Sequence, residues 1–185
     1  MRLILSTRDG LPLSDFFSRQ LRGYRQNAGL SQEALAARSG LSTVTISRIE
    51  CGKTSPYLST ALELAAGLGV SISQLLSGSA YSHPAADYSI QNFHHCVRRY
   101  RLVRDWSQRE LAARLVDGDP NQVSAVERNE ASDVYLSTLG EYADAFGVEP
   151  TDLSVRHEPI EQAASPSVQQ GIGDDMESRQ KPRKI

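Results

Sequence analysis

The segment SQEALAARSGLSTVTISRIE (Ser31–Glu50) returns further along the chain as SQRELAARLVDGDPNQVSAVE (Ser107–Glu127), so an internal repeat governs how everything else is read. With an offset of 76, Arg25, Gln32, Leu35, Ala36 and Arg38 fall on Arg101, Gln108, Leu111, Ala112 and Arg114. After one extra residue, Ile46, Ser47, Ile49 and Glu50 fall on Val123, Ser124, Val126 and Glu127. A second extra residue then sets YLSTALELAAGLGVSISQL (Tyr57–Leu75) over YLSTLGEYADAFGVEPTDL (Tyr135–Leu153). Two copies of about 65 residues are too few and too long for a stacked solenoid and fit two small, separately folded domains. The expected organisation is an arm over 1–13, a first domain over 14–78, a linker over 79–90, a second domain over 91–156 and a disordered tail over 157–185.

Helical periodicity runs through both copies. In the first, Phe16, Leu21, Tyr24 and Ala28 recur at helical spacing after Ser14 and Asp15, which can cap a helix start. Gly29 closes that helix, and Ser31 opens the second, Gln32–Ser39. Gly40 permits a sharp turn, Ser42 caps a third helix over Thr43–Cys51, and Gly52 stops it. A fourth, Leu58–Leu68, ends at Gly69, and Ser71 caps a short fifth through Leu76. The second copy predicts Gln91–Arg104, Gln108–Leu115, Pro120–Asn129, Leu136–Phe146 and Pro150–Val155, with both prolines in first turns where a missing N–H does no harm. Nothing demands a sheet, so the fold class is all-α. Between the copies SGSAYSHPAADYS (Ser77–Ser89) has linker composition, and the stretch after about Val155 is polar and poor in large apolar residues.

The chain has 185 residues, 39% apolar and 23% charged, ordinary globular composition. Its net charge of −2 is unevenly spread: residues 1–80 carry eight cations against five acids, and residues 81–160 carry eight against thirteen. The first half is therefore the better placed to meet a polyanion. Two cation-rich runs, RRYRLVR (Arg98–Arg104) and the terminal QKPRKI, read either as phosphate contacts or as solvated surface. Cys51 and Cys96 do not occupy matching positions and read as free thiols in a reducing compartment. MRLILST is too short an apolar start for a signal peptide, and no run is long enough to span a membrane. A cytoplasmic location is expected.

The middle of each copy has the pattern of a short helix, a tight turn and a second helix able to enter the major groove. In detail it resembles the Cro/C1-type (XRE) family of phage repressors and bacterial regulators, carried by Gln32, Ala36, Gly40, Ile46, Ile49, RIECGKTSP and LGVSISQL. The resemblance covers about 130 residues and implies two tandem five-helix, lambda-repressor-like DNA-binding domains. At about 100° per residue, Thr43, Val44, Ser47 and Arg48 share one side of the third helix while Ile46 and Ile49 face the other. Arg48 suits guanine, Ser47 and Thr43 suit base edges or phosphate, and Val44 suits a thymine methyl. The resemblance implies that these four contact bases, that Gln32 contacts phosphate, and that Lys53 lies against the backbone. It also implies partly buried ion pairs, Arg25 with Glu50 and Arg101 with Glu127, whose role is structural, not catalytic.

The second copy departs where reading matters. Its outward positions are Pro120, Asn121, Ser124 and Ala125, with no counterpart to Arg48, and Asp117 and Asp119 sit at the groove entrance. Gln108, Asn121 and Ser124 are its candidate DNA contacts; the alternative is a domain turned to protein contact. His94, His95 and Cys96 diverge on a helix and are read as surface or core groups, so no metal and no cofactor are expected. Trp106, in place of Leu30, is read as core. No constellation for catalysis stands out. The function expected is a sequence-specific DNA-binding transcriptional regulator, a repressor, acting on double-stranded DNA from one chain or as a homodimer. The alternatives are an antitoxin or restriction-modification controller of the same fold, or an interaction module whose acidic second domain binds a protein partner.

Overall fold

Two serines set the start of the decisive pair of helices. Ser31 Oγ accepts from Ala34 N at 3.1 Å and Ser42 Oγ from Thr45 N at 3.0 Å, supplying acceptors that a helix's first turn lacks. A computed structural model describes residues 11–77, 90–130 and 133–154. The arm through residue 10, the linker core and the tail expected to be disordered lie outside these. In chain order the elements are α1 (Leu13–Asn27), α2 (Gln32–Ser39), α3 (Thr43–Glu50), α4 (Leu58–Leu68), α5 (Ile72–Ser77), α6 (Ile90–Val103), α7 (Gln108–Ala112), α8 (Pro120–Glu127) and α9 (Leu136–Phe146), closed by a 3-10 turn, Pro150–Leu153. All are helical, and no strand longer than an isolated bridge occurs among the described residues.

Beyond shifts of one or two residues at helix ends, as in α3, α6 and α8, three local outcomes differ from the sequence expectations. First, α1 begins at Leu13, inside the expected arm, and Ser14 and Asp15 do not cap it; Pro12 precedes the helix with its φ at −54° and offers no side-chain cap. Leu13 is buried, and anchoring it against α9 outweighs a cap at Ser14. Second, α7 stops at Ala112 instead of Leu115. Beyond it the bonds tighten, Arg114 N to Leu111 O at 2.9 Å and Leu115 N to Ala112 O at 3.0 Å, a winding that takes up the extra residue. Third, the last element is a 3-10 turn that ends at Leu153.

The second half keeps the first half's turn geometry with different residues. Gly29, Gly40 and Gly52 have φ of 66°, 75° and 66°, and their counterparts Asp105, Asp117 and Asn129 have φ of 53°, 51° and 60°. Aspartate and asparagine are the side chains that tolerate the left-handed region best after glycine. Some of the second half's acidity is therefore bound up with backbone conformation.

The apolar faces of both halves meet in one continuous core. Leu13, Phe17 and Leu21 of α1, Ile46 and Ile49 of α3, and Leu64 of α4 join Phe93 of α6 and Leu139, Tyr142 and Phe146 of α9. Phe93 meets Tyr142 edge to face with centroids 5.6 Å apart. Between the halves, α1 packs on α9 and α5 on the closing 3-10 turn. The segments before α4 and α9 run antiparallel: Leu58 N donates to Val134 O at 2.8 Å and Leu136 N to Pro56 O at 2.9 Å. These two bonds flank the pair Tyr57 and Tyr135, whose rings stack at 4.0 Å and whose hydroxyls hydrogen-bond at 2.6 Å.

Gly140 makes the α1–α9 contact possible, since a Cβ there would stand 2.8 Å from Leu13 Cβ. Gly140→Ala should gain about 1 kcal/mol of helix propensity yet lose about 1–3 kcal/mol to overpacking, a net destabilisation in urea titration. Combining it with Leu13→Gly, which removes that Cβ, should abolish the overpacking penalty; additive losses would mean that the two residues do not touch.

Candidate nucleic-acid interface

The third helix divides as its periodicity predicts. Ile46 and Ile49 are fully buried, Val44 is 68% exposed, Arg48 is exposed, and Thr43 and Ser47 are half-buried along the same outward side. Lys53 is exposed in the loop beyond. Arg48, in the last turn of α3, adds a cation where the helix dipole favours one. An apolar stripe fixes the helix on the body while hydroxyl, methyl and guanidinium groups face out.

What holds α3 at its angle is a buried carboxylate with three donors. Glu50 receives Arg25 Nε at 2.5 Å, Arg25 Nη2 at 2.9 Å and Gln32 Nε2 at 2.8 Å, and Arg25 Nη1 donates to the Leu30 carbonyl at 2.7 Å. One cluster thus ties together α1, the loop before α2, the first residue of α2 and the last of α3. The second half repeats it: Glu127 receives Arg101 Nε at 2.5 Å, Arg101 Nη2 at 2.9 Å and Gln108 Nε2 at 3.0 Å, while Arg101 Nη1 reaches Trp106 O at 2.8 Å. Gln32, expected at phosphate, and Gln108, a candidate DNA contact, are half-buried with their amide N–H groups turned to these carboxylates.

Burial alone would raise the Glu50 and Glu127 carboxyls, but the bonds from arginine and glutamine outweigh it and hold both below the ordinary range. A depressed carboxyl stabilises the fold fully above its unfolded value, near 4.3, and loses that contribution as pH falls through the folded value.

The second half's counterpart face is smaller and less basic. Pro120 and Asn121 are exposed, and Ser124 and Ala125 are half-buried. Asp119 caps α8, its Oδ1 accepting from Asn121 N at 2.9 Å. In the following loop Arg128 is paired with Glu130 at 2.9 Å, both exposed. Of the run Arg98–Arg104, two cations turn inward. Arg101 makes the ion pair, and Arg104 donates to the Phe146 carbonyl at the end of α9 at 2.7 Å. Trp106, read as core, is half-buried at the rim, stacked on Phe146 with the Arg114 guanidinium 3.9 Å from its centroid. His94 and Cys96 are buried while His95 is exposed, and burial pushes the Cys96 thiol up to about 11. Among the described residues no three His, Cys, Asp or Glu side chains gather as a metal site, and no helix is long and apolar enough to cross a membrane.

Sequence reasoning missed the groove beside α3. A cavity of about 280 Å³ is lined by Thr45, Arg48, Thr54, Ser55, Tyr57, Thr60 and, from the second half, Tyr135. The signal was in the repeated YLST at Tyr57 and Tyr135, which put an exposed tyrosine at the same place twice without saying that the two would meet.

Removing one partner of a buried pair strands the other. Arg25→Ala and Glu50→Ala should each cost about 3–5 kcal/mol in urea unfolding at pH 7. Glu50→Gln should also flatten the loss of stability below about pH 4; an unaltered acid profile would show that Glu50 is not the group responsible.

Residues 21–75 match the helix-turn-helix family HTH_3. Over 49 residues the chain is 47% identical to an HTH-type transcriptional regulator of Haemophilus influenzae, a match covering 26% of this chain and half of that protein's length. Over 53 residues it is 43% identical to the HTH-type transcriptional regulator y4dJ of Sinorhizobium fredii, covering 29% of this chain and 69% of that protein. Among solved structures, the restriction-modification controller protein C.AhdI from Aeromonas hydrophila is 35% identical, matched over 34% of this chain and 94% of that one with a TM-score of 0.33. The helices α2 and α3, their capped turn, the family match and the two regulator sequences lead to one assignment: the chain belongs to the Cro/C1-type helix-turn-helix family of transcriptional regulators.

Proposed function

We propose that the protein is a sequence-specific DNA-binding transcriptional regulator, a repressor in the cytoplasm, built from two tandem Cro/C1-type domains. The single observation that carries this reading is the outward side of α3, where Thr43, Val44, Ser47 and exposed Arg48 stand together on a helix anchored by Ile46, Ile49 and Glu50. A helix laid in the major groove offers such a set to base edges: Arg48 to guanine O6 and N7, hydroxyls to base or phosphate, and Val44 to a thymine methyl. Lys53, in the exposed loop past α3, adds charge toward the phosphates, which position the protein without specifying sequence. Arginines at 25, 101 and 104 are committed internally, whereas Arg48 is exposed on the outward side of α3, so recognition turns on it. Occupancy of a promoter then blocks polymerase, and no catalytic step belongs to this reading.

Sites selected from a random DNA pool and titrated by fluorescence anisotropy test it. Arg48→Ala should cost about 1–3 kcal/mol at the selected site and relax preference at one base pair. Lys53→Ala should weaken binding to all sequences alike and reduce the salt slope by about 1. Unchanged specific affinity in Arg48→Ala would sink the assignment of α3 as the reading helix.

A further inference from the structure

The contacts around the tyrosine pair join equivalent positions of the two halves. Tyr57 stacks on Tyr135, its own counterpart. The bond from Leu58 N to Val134 O is answered by Leu136 N to Pro56 O, the same bond with the halves exchanged. Ser137 N donates to Ser55 Oγ at 3.1 Å, and Ser59 Oγ donates to Asp133, again the same two positions in reverse. The fifth element of one half likewise packs on that of the other, α5 against Pro150–Leu153. Reciprocal contacts between like patches are the signature of a twofold axis, whereas domains strung head to tail would join unlike patches. The axis passes between the two tyrosines.

The reading helix stands beside that axis. Arg48 lines the same groove as Tyr135 of the other half. By the same symmetry α8 stands beside Tyr57, so the two third helices flank the axis in opposed directions.

We propose that a single chain is its own dimer: it binds one DNA site made of two inverted, unlike half-sites, without self-association. This deepens the reading of α3 given above and rests on it. The patch around Tyr57 is filled here by its counterpart on the other half. Because the halves are joined, the arrangement is independent of protein concentration, and because they differ, the site is not a true palindrome. The first half-site is read by Arg48 and its neighbours. The second is read by Asn121, whose amide suits adenine, and by Ser124, with Asp117 and Asp119 weakening the hold. Asp117 adopts a left-handed turn and Asp119 caps α8, so both acids are tied to local structure at a cost in affinity.

The decisive experiment titrates the full chain against its selected duplex at DNA concentrations above the dissociation constant and then alters the spacing. The expected result is one chain per duplex and inverted half-sites about one helical turn, ~34–36 Å, apart. Inserting five base pairs between them should cut affinity at least tenfold, because the second helix is then carried to the wrong side of the duplex. Two chains per site, half-sites in direct repeat, or tolerance of the insertion would each overturn the proposal while leaving α3 as a reader. Failure to select any sequence would overturn the DNA reading itself, and this proposal with it.

Two variants probe the arrangement further. Flanked by its two backbone bonds, the tyrosine pair has the close Cα separation of about 4.5 Å that a disulfide can bridge. Tyr57→Cys with Tyr135→Cys, in a Cys51→Ser background, should close an intrachain disulfide in dilute solution and keep specific binding. Crosslinks only between chains, or loss of binding on closure, would overturn the proposal. Asp117→Gly with Asp119→Ser keeps the turn and the cap while removing both charges. It should tighten binding to the full site several-fold and leave the isolated first half-site unchanged; equal effects on both would show that α8 does not face DNA.

Discussion

Everything presented to solvent on α3 depends on the carboxylate of Glu50 and the guanidinium that holds it. An ion pair this deeply placed is a poor source of net stability, because desolvating two charges costs about as much as their attraction returns. Its value lies in geometry. The Arg25 fork meets both carboxylate oxygens, Gln32 fills a further acceptor position, and the remaining arginine N–H takes the Leu30 carbonyl. Four segments are thereby fixed at one point. A hydrophobic contact in the same place would permit sliding; a bidentate pair with satisfied neighbours permits one angle. The second half builds the same cluster around Glu127, so both third helices are set on their scaffolds by identical chemistry.

The acids of the second half take on a different meaning once the turns are known. By charge alone, Asp105 and Asp117 look like a surface turned away from polyanions. Their backbones, however, occupy the left-handed positions that glycine holds in the first half, as does that of Asn129. Short polar side chains accept that conformation at low cost. Asp119 serves as the α8 cap, and Asp133 accepts from Ser59 across the middle of the molecule. Asp105, Asp117, Asp119 and Asp133 are thus built into turns, a cap and the join between halves.

That join is not wholly symmetric. Near the tyrosines the bonds are reciprocal, yet α1 alone is drawn tightly onto the opposite half, where Gly140 leaves room for Leu13. The counterpart of Gly140 is Leu62, which offers no such recess. A twofold in the backbone pairing coexists with a one-sided apolar lock, an arrangement open to two unlike copies in one chain and closed to a true homodimer.

Local chemistry was legible without coordinates. Ser31, Ser42, Gly40 and Gly69 marked helix ends correctly because caps and left-handed turns depend on a few neighbouring residues, and α2, α4 and α9 were bounded as expected. The buried and outward sides of α3 followed from its 3.6-residue period. Less legible were the start of α1, the shortened α7 and the inward turn of Arg104, each decided by a distant partner: Leu13 against α9, a turn wound around an inserted residue, and the Phe146 carbonyl. Least legible was the relation of the halves. The sequence alone determined two like sets of helices with unlike outward faces on their third helices; only tertiary structure decided that they meet as mirror roles around Tyr57 and Tyr135 and share one core. Repetition in a sequence specifies similar shapes, but whether they join like to like depends on packing between residues 78 apart, which no local pattern encodes.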